Sequence, residues 1–130
     1  MKWLEAYSTG IQSIDDQHKM LFRTAEVFRS ALDSGKGDRV YGALLQTLEL
    51  YVRTHFAYEE GCMARYHCPM AKRNADAHTE FTKVLARFQQ HYAAHGFDRD
   101  DALNLVDTID RWLVDHIGRI DVHLKDSVPK

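Results

Sequence analysis

His55 and Glu59 stand four residues apart inside a long helical pattern. At that spacing two side chains lie on one helix face, one above the other. An imidazole and a carboxylate so placed can grip one metal ion, or let the carboxylate bridge to a second. Taken alone, the pair equally describes a solvated helix face. Its weight comes from His18, His78 and His116, which fall on the inward apolar stripes of three other expected helices, and from Asp121, five residues after His116. A lone inward histidine is ordinarily hydrogen-bonded within the core. Four of them with two inward acids are costly to bury unless something binds them, and a metal centre is the economical reading.

Imidazole with carboxylate suits iron, zinc or manganese, and no thiolate lies on the inner stripes to favour a softer ion. Six donors are too many for one tetrahedral zinc. Two metals about 3.5–4 Å apart, bridged by carboxylates, fit better. The ferritin-like arrangement uses Glu-x-x-His on each of two helices. That pattern occurs nowhere in this chain, which disfavours that class.

The elements that must position these residues read as four helices. Helix A is expected to start at the acidic pair Asp15-Asp16, which suits capping and the macrodipole, and to run to Asp33. Its stripe is His18, Leu21, Phe22, Ala25, Phe28, Arg29 and Leu32. Ser34-Gly35-Lys36-Gly37 ends it. Helix B spans about Asp38 to Tyr66, with Val40, Leu44, Leu45, Leu48, Tyr51, Val52, His55, Phe56, Glu59 and Met63 inward. After a turn at Tyr66–Pro69, helix C spans Met70 to Ala94, with Asn74, Ala77, His78, Phe81, Val84, Leu85 and Phe88 inward, closed by Gly96. Helix D is capped by Asp98 and runs to about Gly118, where Asp121 can fold back over its end. Residues 1–14 read as an extended arm packed across the bundle, and Ser127–Lys130 as a loose tail. The expected fold class is all-α: one domain over residues 1–130, an up-down-up-down antiparallel four-helix bundle with an extended N-terminal arm.

Composition supports this and narrows the function. Only 2 prolines and 7 glycines in 130 residues favour long unbroken elements. A net charge of −2, from 17 basic and 19 acidic residues, gives no electrostatic reason to expect nucleic acid or an anionic membrane as partner. No apolar run is long enough to span a bilayer, and the first residues lack the apolar core of a signal peptide. Cys62 and Cys68 make no CxxC motif and read as reduced thiols of a cytoplasmic protein. We expect a cytoplasmic monomer; the partner protein, if any, is not specified by the sequence.

An ordered set of segments runs from residue 3 to residue 121: Trp3, Gly10-Ile11, Ile14-Asp15-Asp16-Gln17-His18-Lys19-Met20-Leu21, His55-Phe56-Ala57-Tyr58-Glu59-Glu60, Met63-Ala64-Arg65-Tyr66, Pro69, His78-Thr79-Glu80-Phe81 and His116-Ile117-Gly118-Arg119-Ile120-Asp121. In these segments, in their order and spacing, the chain resembles the bacterial hemerythrins. It implies a non-haem di-iron site, two iron ions with an oxo or hydroxo bridge, that binds dioxygen reversibly. His18 and His55 would ligate one iron, His78 and His116 the other, and Glu59 and Asp121 would bridge them. The irons would supply the redox chemistry. Phe22, Phe56, Phe81, Leu113 and Ile117 would keep the pocket dry.

One departure stands out. The family carries His-x-x-x-His on helix C, and here the first position is Asn74. An amide oxygen is a poor ligand for iron, so the expectation is four histidines, two per iron, with water or another group in the open place. His67, in the preceding turn, is a minor candidate to swing inward. His91, His95 and His123 read as surface residues. The primary reading is dioxygen carriage, storage or sensing by a protein that is not an enzyme. The readings kept beside it are a di-iron oxidase or peroxidase, a sensor of oxygen, redox state or nitric oxide, and a metal-free structural bundle.

Overall fold

The computed structural model describes residues 2–129. Four helices carry the chain: α1 (Gln12–Asp33), α2 (Gly37–Arg65), α3 (Ala71–His95) and α4 (Arg99–Arg119). Short 3₁₀ turns at Glu5–Tyr7 and Asp121–Asp126 flank them. Among the described residues there is no strand. Loops of three, five and three residues join the helices, which forces neighbours to run antiparallel. α1 packs on α2 and α4, and α3 packs on α2 and α4, closing the up-down-up-down bundle.

The joints follow local chemistry. Gly35, at φ +73, ends α1 in a left-handed turn in which the Lys36 N–H reaches the Ala31 carbonyl at 2.8 Å. Gly37 opens α2 so close to Leu32 and Phe97 that an added Cβ would lie 2.4 Å from Leu32 Cδ2. α2 ends in the same kind of turn, with the Cys68 N–H on the Met63 carbonyl at 2.9 Å, but there His67 takes the left-handed position at φ 52. Asp98 caps α4, its carboxylate accepting from the N–H groups of Asp100 and Asp101.

Two expectations about the helices are corrected. α1 begins at Gln12, not at Asp15-Asp16, and its cap position, Ile11, offers no side-chain bond. Asp15 is instead turned inward to tie down the arm. Its carboxylate accepts from the Ser8 hydroxyl at 2.8 Å, the Thr9 N–H at 2.8 Å and the Thr9 hydroxyl at 2.9 Å. Val40 is 37% exposed, and the next residue, Tyr41, takes the inward place against Phe28, Tyr92 and Phe97. A large ring can fill the gap between helix ends that a valine cannot reach. The expected tail is partly held: the N–H groups of Ser127 and Val128 both bond the Leu124 carbonyl, while Lys130 lies outside the described residues.

The apolar interior is split in two. A large cluster includes Leu21, Phe22, Val52, Phe56, Phe81, Leu113 and Ile117. A small one holds Ile14, Met63, Cys68 and Leu124. On every helix the residues between the two clusters are polar: His18 on α1, Glu59 on α2, Asn74 and His78 on α3, His116 on α4. The bundle thus carries one buried polar layer between two apolar ones.

Candidate metal centre

His18, His55, Glu59, His78, His116 and Asp121, the six residues singled out in the sequence, all come together in that layer, each 3% exposed or less. Glu59 stands at the middle. Its Oε2 lies 3.0 Å from His18 Nε2 and 3.6 Å from His55 Nε2. Its Oε1 lies 3.1 Å from His78 Nε2 and 3.8 Å from His116 Nε2. Asp121 repeats the division from the other side, with Oδ2 at 3.3 Å from His18 Nε2 and Oδ1 at 3.1 Å from His116 Nε2. Each carboxylate therefore offers one oxygen to each pair of imidazoles. His18, His55 and Glu59 form one group able to hold a cation, and Glu59, His78 and His116 form the other.

Helix geometry explains the convergence. His55 and Glu59 share the inward face of α2 at i and i+4. Asp121 is placed not by a helix body but by the 3₁₀ turn that folds over the end of α4, as its offset of five from His116 suggested.

The outer ring nitrogens are held in two cases. His55 Nδ1 donates to Gln17 Oε1, and His78 Nδ1 donates to Glu60 Oε2 at 3.1 Å. Such bonds fix the tautomer, leaving Nε2 with its lone pair toward the centre. Gln17 also accepts from the Tyr51 hydroxyl through its backbone carbonyl. The sequence reading gave Gln17 and Glu60 no role. The available signal was adjacency, since each sits next to a centre residue in the chain. Two aromatic rings brace the α3–α4 side: Phe56 lies flat on His78, with centroids 3.7 Å apart, and Trp112 on His116, at 4.3 Å.

Protonation is strongly uneven. Burial pushes His18 and His116 down, but hydrogen bonds to Asp121 and Glu59 outweigh it and raise both to about 9. His55 is lowered to about 3 by burial, opposed by Glu59 and reinforced by the other histidines. Burial favours the neutral acid at Glu59, yet its hydrogen bonds with His116, His18 and His78 hold the carboxyl well below its usual range. An ionised carboxylate shared by four imidazoles is a site that exchanges protons for cations.

Asn74 lies inside the same layer. Its side chain is fully buried, and its head atom lies 2.8 Å from His116 Nε2, 3.0 Å from His78 Nε2, 2.9 Å from Glu59 Oε1 and 3.1 Å from Asp121 Oδ1. His67 is exposed in its turn and serves the backbone there. His91 and His95 sit more than three turns beyond His78 on α3, with His91 half-buried at 3.6 Å from Asp98. His123 is exposed. Cys62 and Cys68 are both free thiols.

The donor set fits a pair of borderline metal ions. It combines imidazole nitrogens with bridging carboxylates, and Asp121 Oδ2 is buried without an aligned hydrogen bond, its lone pair available to a cation. No helix among the described residues is long and apolar enough to cross a membrane.

Comparison with known proteins agrees with the geometry. A family model described as the hemerythrin HHE cation binding domain matches residues 9–126. The chain is 29% identical over 126 residues to a bacteriohemerythrin of Pseudomonas paraeruginosa, covering 97% of this chain and 80% of that one. It is 24% identical over 120 residues to a bacteriohemerythrin of Clostridium acetobutylicum, covering 88% and 91%. A hemerythrin-like protein of Nematostella vectensis is 27% identical over 133 residues, covering 98% and 75%. With the buried histidine–carboxylate layer and a family match over nearly its whole length, this chain belongs to the hemerythrin family.

Proposed function

We propose that the chain is a dioxygen-binding protein that holds two iron ions between its four helices and is not an enzyme. His18 and His55 would hold one iron, His78 and His116 the other, and Glu59 and Asp121 would be shared between them. The observation that carries this reading is the division of each carboxylate, one oxygen toward each imidazole pair. When bound, the iron pair supplies the electrons that dioxygen accepts.

The chain's own residues set the conditions. Gln17 and Glu60 orient His55 and His78, so that neither ring has to reorganise when a cation arrives. Leu21, Phe56, Phe81 and Leu113 exclude water from the side of the layer that faces the main core. Leu48, Val52, Ile109 and Trp112 join them around an enclosed cavity of about 10 Å³. A cavity that small and apolar stays dry. A buried, dry centre favours reversible binding, because loss of a charged oxygen species into water is slowed.

The test is iron stoichiometry and the visible spectrum of the anaerobically reduced protein on exposure to air. Two irons per chain and an oxygenated band that disappears on deoxygenation are expected. A protein that takes up no iron after reconstitution overturns the reading. Sustained turnover of peroxide with a reductant would move the chain to the enzyme class. Chromatography with light scattering should show the monomer we propose, and fractionation of the source cells should recover it with the cytoplasm.

A further inference from the structure

We propose that Asn74 is itself a metal ligand, holding the iron of the His78–His116 side through its amide oxygen. This deepens the di-iron reading and rests on it. The geometry is that of a coordination shell. In a six-coordinate centre with bonds of about 2.1 Å, donors at right angles lie about 3.0 Å apart. The Asn74 head atom lies 2.8, 2.9, 3.0 and 3.1 Å from four donor atoms, which are His116 Nε2, Glu59 Oε1, His78 Nε2 and Asp121 Oδ1. Among those four, the His78–Glu59 and His116–Asp121 neighbours are both 3.1 Å apart, while His116 and Glu59 are 3.8 Å apart. The Asn74 head atom thus lies within 3.1 Å of all four donors.

In the metal-free chain hydrogen bonds hold the amide. With the oxygen inward, it accepts from His116 Nε2 at 2.8 Å while lying against two carboxylate oxygens. With the NH₂ inward, its two hydrogens are shared among four acceptors within 3.1 Å, Glu59 Oε1 and Asp121 Oδ1 among them. Fully buried, the amide has no water to turn to. A cation held among these atoms, with the amide oxygen turned inward, would take the lone pairs of all five donors. The side chain then needs only a half-turn of its amide between the two states. The second iron would have two nitrogens and three oxygens from the chain, a harder set than three imidazoles provide.

The experiment is anaerobic titration of the whole chain with Co(II) alone, followed by its visible absorption, for the unmodified chain and for Asn74→Ala and Asn74→Asp. Two equivalents should bind to the unmodified chain. Asn74→Ala should keep the first equivalent and weaken the second by about 10-fold or more, with stronger visible absorption as its coordination number falls. Asn74→Asp retains an oxygen donor and should bind the second equivalent at least as tightly as the unmodified chain. Were the amide only a hydrogen-bond donor to Glu59 and Asp121, a third carboxylate would repel them, and Asn74→Asp would bind as poorly as Asn74→Ala. That result, or an unchanged second equivalent in Asn74→Ala, overturns the proposal while leaving the metal centre standing. No Co(II) binding by the unmodified chain would sink the centre itself and this ligand with it.

Discussion

The two sides of the buried polar layer are built from the same parts and finished differently. On the α1–α2 side, His18 and His55 meet edge to face, 4.9 Å apart, and a neutral amide, Gln17, holds the one tethered ring. On the α3–α4 side, His78 and His116 are the same distance apart, but a carboxylate, Glu60, holds the tethered ring, two aromatics lie flat on the imidazoles, and Asn74 lies within 3.1 Å of four donor atoms. With Asn74 as the ligand proposed above, the first side would offer four donor atoms and the second five. On the function proposed here, the side with fewer donors is where a small molecule exchanges, and the side with more anchors the pair. A charged partner behind His78 also makes that imidazole a stronger donor, which offsets part of what an amide lacks beside a histidine.

The largest expected effect comes from erasing the difference altogether. Glu59 serves both sides, so Glu59→Ala should abolish binding of both metals, seen as iron per chain falling from two toward zero by elemental analysis. Retention of both ions would show that Asp121 alone can hold the pair.

Next come the outer partners. Glu60→Ala should weaken metal binding on the α3–α4 side by about 10–100-fold, and Gln17→Ala should act on the other side by less. Competition with a chelator measures both, and a larger loss from Gln17 would reverse the comparison.

A proton count separates the rings further. His18 and His116, each raised to about 9, carry protons at neutral pH that a metal must displace. Calorimetry in buffers of different ionisation enthalpy should find about two protons released per chain near pH 7, falling as pH rises through 9. No buffer dependence would mean that the rings are already neutral. In the metal-free chain the same two rings stabilise the fold fully below their ordinary 6.5, a contribution lost as pH rises through 9. His55, lowered to about 3, works the opposite way: stability is lost as pH falls below 6.5 toward 3.

The smallest effect lies outside both sides. His67→Gly should relieve a left-handed backbone and stabilise the chain by about 0.5–1 kcal/mol in thermal unfolding, with no change in metal content. A loss of metal would restore His67 as a donor.

Much of this was legible in the sequence, because helical periodicity alone places His18, His55, His78 and His116 on facing stripes, and short loops leave one way to close four helices. Asp15 was misread. Acids ahead of an apolar run ordinarily cap a helix, and that judgement took the residue's average habit. What decided it was tertiary: the Ser8-Thr9 segment lies across Asp15. Asn74 was placed on the inward stripe, where it is fully buried, but periodicity does not show the four donors around it. Tyr41 displaced Val40 likewise, since the stripe of a helix shows its face but not which neighbour has room beside it.

Asp121 reaches the layer on a segment that wraps over the end of α4 and rests on the arm, where Gly10 lies against Lys125 and Val128. The last carboxylate is therefore delivered by a clasp that fastens only when segments from opposite ends of the chain have met. Loading of the pair would then be a late event in folding. A protease nick between Ile120 and Leu124 would unfasten the clasp and release metal while the four rods stayed assembled.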